Sequence, residues 1–191
     1  MKALIYSNEM KIEEALQIYF AKYHFADGGY NDKYFKIKIG SLFIPFPNTK
    51  SRIKAVKFHD IHHLVTEYTA FWKGEVEIGA WEIASGCGIF FVAWLLNFGS
   101  FSIGLFLYPN ALFKAFMMGK NVKTNLYYSY IYDQSLLNRT VGELRKELGI
   151  GYTKKNTLSD YIYFVLWVLL ALLGLSVTMY ILLSIYLLIR N

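Results

Sequence analysis

The sequence predicts a helical domain followed by a C-terminal transmembrane helix, and three observations carry that prediction. The run from Tyr161 to Ile189 holds no charged residue, no proline and a single glycine, Gly174. About 20 helical residues, rising about 1.5 Å each, cross a hydrocarbon core of about 30 Å, so this run spans with length to spare. The 191-residue chain is 55% hydrophobic, and its mean hydropathy of +0.29 lies on the apolar side of soluble domains. Upstream of the run, apolar residues recur at helical spacing and helix start and stop signals flank them.

The elements follow in order. Lys11 to Tyr23 predicts a helix with Ile12, Ala15, Leu16, Tyr19 and Phe20 on its apolar face. Gly28-Gly29 marks a loop over Phe25 to Asp32. Tyr34 to Phe46 alternates apolar and polar residues, which predicts a short hairpin or an extended segment, ended by Pro45 and Pro47. Lys50 to Tyr68 reads as a helix carrying the histidines. Trp72-Lys73-Gly74 offers a break after which Glu75 opens the next helix. The uncharged run Ile83 to Phe113 is interrupted by Asn97, Gly99, Ser100, Ser102 and Pro109. It fits two helices, near 75–96 and 101–118, with a turn at Asn97-Phe98-Gly99-Ser100. Each is either a core helix or one that dips into the membrane surface, and a second true span over this run is the alternative. Thr140 with Glu143 forms a capping box for a short helix closed by Gly149.

The chain thus divides into a body, 1–155, and an anchor, 158–190. Tyr161, Tyr163 and Trp167 near one end of the span and Tyr186 near the other fit interfacial aromatics. Lys154 and Lys155 precede the span and only Arg190 and Asn191 follow it, which predicts a single-pass membrane protein with a cytoplasmic body. The net charge is +6, and basic residues outnumber acidic ones between Asn110 and Lys155. Beside a membrane span this predicts contact with anionic lipid head groups, and no nucleic-acid motif points to another partner. Cys87 is the sole cysteine, so no intrachain disulfide forms. Glu9, Glu13 and Glu14 near the N-terminus argue against a secretory or transit signal. No phosphate-cradling glycine loop, nucleophile elbow or Cys–His pair is present.

Chemistry concentrates at the histidines. Three of the four lie at 59, 62 and 63. His59 and His63, four apart, share a helix face; Asp60 borders that face and His62 points away from it. Glu75 closes the site from the next helix. His59, Asp60, His63 and Glu75 suit zinc, or iron, cobalt or manganese with added water. Glu67, four residues after His63, competes with Glu75 for the fourth position. Glu82, seven after Glu75, fits a supporting role. Trp81, Trp94 and the 83–113 run place the cluster against the hydrophobic interior.

His59-Asp60-Ile61-His62-His63, eleven residues and then Glu75 resembles the His-Asp-x-x-His-x11-Glu signature of the coenzyme Q biosynthesis protein 4 family. Leu64-Val65-Thr66 with Tyr68, the Gly74-Glu75 pair, Pro109, Ala115-Phe116 with Gly119, and Leu144-Arg145 with Leu148-Gly149-Ile150 are similar to later family segments, in order, over about residues 35–150. Glu67 stands where the family usually has glycine, and the C-terminal anchor is additional. The resemblance implies an all-α protein with a zinc site and an apolar channel for an isoprenoid lipid, here lined by Ile78, Trp81, Phe90 and Trp94. It implies a role in ubiquinone biosynthesis, either as an oxidative decarboxylase at ring carbon 1 of a prenylated hydroxybenzoate or as a lipid-binding scaffold. The partners expected are membrane lipid, an isoprenoid quinone precursor, other quinone-biosynthesis enzymes and further copies of the chain in a homo-oligomer.

Overall fold

A computed structural model describes residues 5–26, 28–39 and 42–190. Among the described residues the protein is all-α apart from one β-ribbon. Helix α1 (Ile12–Tyr23) buries the predicted face through Ile12, Ala15, Leu16 and Tyr19, and stops where His24 turns left-handed. Strands β1 (Tyr34–Ile39) and β2 (Leu42–Pro47) pair antiparallel, with Tyr34 opposite Pro47. The hairpin's Gly40 and Ser41 lie outside the described residues. Pro45 does not end the ribbon as expected. Each strand of a two-stranded ribbon is an edge, where proline's missing N–H is tolerated.

Helix α2 (Lys50–Thr66) starts at Thr49, whose hydroxyl accepts from the Arg52 N–H. It ends at Glu67, which adopts φ 61°. Helix α3 (Trp72–Ser85) begins earlier than the sequence predicts. Trp72-Lys73-Gly74 is its first turn rather than a break. A side chain at position 74 would run into the backbone of Thr69, so this glycine permits close approach of the α2–α3 connection.

The largest correction concerns the uncharged run. The break falls at 86–90, not at Asn97–Ser100, and helix α4 (Phe91–Leu107) runs through those residues. Gly86 at φ 93° and Gly88 at φ 51° make the break. The polar residues of α4 are satisfied without leaving the helix. Asn97 turns inward to Glu82, while Ser100 and Ser102 donate to the carbonyls of Asn97 and Phe98. Pro109 occupies the first turn of α5 (Pro109–Asn121), where its missing N–H costs nothing. Short helices α6 (Leu126–Ser129) and α7 (Gln134–Leu137) lead to α8 (Val141–Leu148). The predicted capping box of Thr140 and Glu143 is formed there, and Gly149 closes the helix left-handed.

Two apolar clusters organise the body. One joins α1, α2 and α8 around Leu16, Ile61, Leu64 and Leu144. The other joins α3, α4 and α5 around Val76, Phe101 and Phe116. Helix α9 (Leu158–Arg190) is long and apolar enough to cross a membrane. Its first half is more than an appendage. Trp167 stacks on Trp94 at 5.6 Å, Phe164 meets Phe101, Phe113 and Phe116, and Ala171 is fully buried.

The expected channel residues are packed. Ile78 and Trp81 are fully buried, Phe90 meets Phe58 and Tyr127, and Trp94 lies under Trp167. Rings of the protein itself thus meet three of the four, Trp81, Phe90 and Trp94.

Candidate metal centre

Helix α2 supplies His59 and His63 on one face, and α3 supplies Glu75 from its first turn. Their ligand atoms converge: His63 Nε2 stands 3.1 Å from His59 Nε2 and 3.4 Å from Glu75 Oε1, and His59 Nε2 stands 3.6 Å from Glu75 Oε2. All three lie within 4.8 Å of one another, and they form the one such group among the described residues. Ligands about 2.0–2.1 Å from a tetrahedral ion are separated by about 3.3 Å, which these distances bracket.

The hydrogen bonds behind the imidazoles decide what lies between them. His63 Nδ1 donates to the Tyr68 carbonyl at 2.9 Å, and His59 Nδ1 donates to Glu82 Oε1 at 3.0 Å. Each partner accepts only, so each ring's single neutral-state proton sits on Nδ1. Two Nε2 lone pairs then face each other beside a carboxylate, an arrangement that requires a shared cation, either a metal ion or a proton. Metal-ligating histidines are held by such bonds from the second ring nitrogen.

Glu82 is the hub of this support. It is fully buried, and Oε1 also accepts from His62 Nδ1 at 2.7 Å. Oε2 accepts from Asn97 at 2.5 Å and from the Tyr127 hydroxyl at 3.0 Å. His62 is not a ligand, as expected: its Nε2 accepts the Leu126 N–H at 3.1 Å, which spends its second nitrogen. Burial lowers the His62 pKa, although Glu82 opposes the shift. At His59 burial also disfavours charge, but Glu82 and Glu75 outweigh it and hold the pKa well above the ordinary imidazole value. Burial opposes ionisation of Glu75 and Glu82 as well, and the neighbouring histidines overcome it and hold both well below the usual carboxylate range.

No family model matches the chain, and no curated protein or solved structure does.

Two predicted carboxylates stand elsewhere. Asp60 is buried on the border of the site and accepts from the Tyr30 hydroxyl at 2.6 Å, outside the converging group. Burial pushes its pKa up to about 6, partly offset by His59 and by the Tyr30 bond. Glu67 does not compete with Glu75. Its left-handed backbone takes it off the face of His63, and its carboxylate pairs with Arg145 at 3.0 Å and accepts the Ile5 N–H at 2.8 Å. Glu82 stands behind His59, in the supporting place expected of it.

Spacing alone missed the aromatic wall. Tyr19 stacks on His63 at 5.5 Å, and Tyr23 and Phe25 pack on Tyr19. Phe71, two-thirds exposed, stands against Tyr23. Only the apolar period of α1 hinted at Tyr19. His63 is buried whereas Glu75 is partly exposed, so the centre is enclosed on the α2 side and reachable past Glu75.

Proposed function

We propose that this chain is a membrane-anchored metal protein of quinone biosynthesis, akin to the coenzyme Q biosynthesis protein 4 family. The observation that carries the reading is the convergence of His59, His63 and Glu75 from the spaced motif, with both imidazoles locked by bonds behind them. The left-handed backbone at Glu67 also suits a family that keeps glycine there, since glycine adopts that conformation freely.

Two histidines and one carboxylate leave coordination positions open, the ligand set of catalytic zinc and of non-haem iron sites. A bound ion would supply Lewis acidity toward a ring carboxylate or phenolate. His59, His63 and Glu75 hold that charge in place. Glu82 fixes the orientation of His59, and Asp60 adds negative charge beside the site. Tyr19, Tyr23 and Phe71 offer an apolar wall to an aromatic head group. The substrate is a prenylated hydroxybenzoate, whose tail stays in apolar surroundings. Oxidative decarboxylation at ring carbon 1 replaces the carboxyl by hydroxyl. It releases carbon dioxide, and dioxygen with a two-electron donor gives the new oxygen and one water. Helix α9 anchors the body at the bilayer, on its cytoplasmic face by the lysine bias of the sequence.

A scaffold is the second reading, favoured by the way the group joins His59 and His63 of α2 to Glu75 of α3. There the ion ties α2 to α3, and the chain presents a prenyl lipid to other enzymes. Turnover of a prenylated hydroxybenzoate by the metal-loaded chain separates the two readings. Activity lost in His59→Ala and Glu75→Ala supports the enzyme. Stoichiometric metal and co-purified prenyl lipid without turnover support the scaffold.

A further inference from the structure

The fold does not explain the outer face of α4. This helix of 17 residues carries no charge and buries only one side, through Ala93, Asn97, Phe101, Ser102 and Gly104. Its other side is an apolar stripe along its whole length. Phe91 is 72% exposed, Leu95 57%, Phe106 67% and Leu107 61%, and Ile89 just before the helix is 93% exposed. A stripe of this extent is not left to water in a soluble protein.

The depth of helix α9 identifies the occupant as lipid. If the near edge of the hydrocarbon lies at Asp160, about 20 residues of α9, to position 180, fill a core of about 30 Å. If the far edge lies at Arg190, the same count places residues from 170 onward inside. Residues 170–180 are immersed in both placements, and tilt only lengthens the immersed part. Ala171 is fully buried in this stretch, and a Cβ on Gly174 would come 3.2 Å from the ring of Phe98 on α4. The part of α9 that must be in lipid is therefore already packed against α4. Along α4, Trp94, Phe98 and Phe101 all meet Trp167, Phe101 also meets Phe164, and Phe98 also reaches Gly174, so α4 packs on the stretch of α9 from Phe164 to Gly174. The polar groups of α4 tolerate such a place, because Asn97, Ser100 and Ser102 are all bonded within the protein.

We propose that α4 is a second membrane-immersed helix, seated beside α9 with the Phe91–Leu95 stripe against lipid acyl chains. At 17 residues, about 25 Å, it is too short to cross. It embeds one side of the body in the bilayer. The proposal takes α9 as a span and is independent of the metal and of any reaction.

The test uses the full chain in nanodiscs of phosphatidylcholine, with the lipid acyl chains either plain or brominated. Phe91→Cys and Leu95→Cys each carry a bimane label, Val177→Cys, half-exposed within the 170–180 stretch, reports α9, and Lys73→Cys, on an exposed side chain, reports water. Cys87 is buried, so the unsubstituted chain gives the labelling background. The expected result is that brominated chains quench positions 91, 95 and 177 alike, while aqueous iodide quenches only 73. Lipid quenching at 177 with iodide quenching at 91 and 95 would overturn the immersion of α4 and leave the span intact. Shielding of 91 and 95 from both quenchers would assign the stripe to a second copy of the chain and also overturn it. Loss of lipid quenching at 177 would remove the span and the proposal together.

Discussion

Glu82→Gln is the sharpest perturbation of the centre because it keeps the shape of the side chain and removes only its charge. In the protein, Oε1 accepts from His59 and His62, and Oε2 accepts from Asn97 and Tyr127. Glutamine has one acceptor oxygen and a donor amide. Its least costly placement keeps the oxygen toward the two histidines and puts the amide where Oε2 was. Tyr127 can rotate its hydroxyl and Asn97 can flip, so each can accept instead. Bonds to a charged partner contribute about 1.5–3 kcal/mol and neutral ones about 0.5–1.5, so the two histidine bonds together lose about 2–3 kcal/mol. His59 then loses the anion that fixes its Nδ1–H and raises its basicity. Outer-shell changes of this kind weaken metal binding by about 10- to 100-fold. Competition against a chelating dye at fixed pH measures this directly, and circular dichroism checks the fold. Affinity within about threefold of the parent, in a folded variant, would refute the role of Glu82 in holding His59.

Other outcomes follow from the same geometry. Metal affinity falls as pH falls, because Glu82 and Glu75 hold the His59 pKa well above its ordinary value and binding must expel that proton. Below that pKa, affinity drops by about tenfold per pH unit for each proton released, and a flat profile between pH 8 and 6 in the dye assay counts against it. Chelation lowers the melting temperature, since an ion at about 100 times its Kd stabilises the fold by about 2.7 kcal/mol. Gly119→Val destabilises by about 1–3 kcal/mol in a denaturant titration, because its Cβ would press on the Trp81 carbonyl and Ala84 Cβ and part α5 from α3. Thr140→Ala removes the capping box of α8 and costs about 1 kcal/mol in the same titration; an unchanged midpoint would show that the cap carries no stability.

The sequence was most readable where the signal is local. The capping box and Gly149 delimit α8, and the i, i+4 spacing alone places His59 and His63 on one face. It misled where side chains act across elements. Asn97 and Ser100 read as turn residues, yet their polar atoms are bonded inside the fold and α4 continues through them. The true break depends on the backbone of Gly86 and Gly88, which an apolar context hides. Glu67 lost its place on the face of His63 because α2 stops one residue before it, and hydrophobic spacing does not mark that stop. Asp60 turns to Tyr30, and Glu82 gathers Asn97 and Tyr127, through contacts between distant segments that no spacing rule reports.

Metal analysis of the purified full chain by native mass spectrometry bears most directly on the centre. A stoichiometric divalent ion in the parent chain, lost in His59→Ala, His63→Ala and Glu75→Ala but kept in Glu67→Ala, is the predicted result. A parent chain that takes up no ion when supplied with zinc, iron, cobalt or manganese, or an ion retained in all three ligand variants, would contradict it.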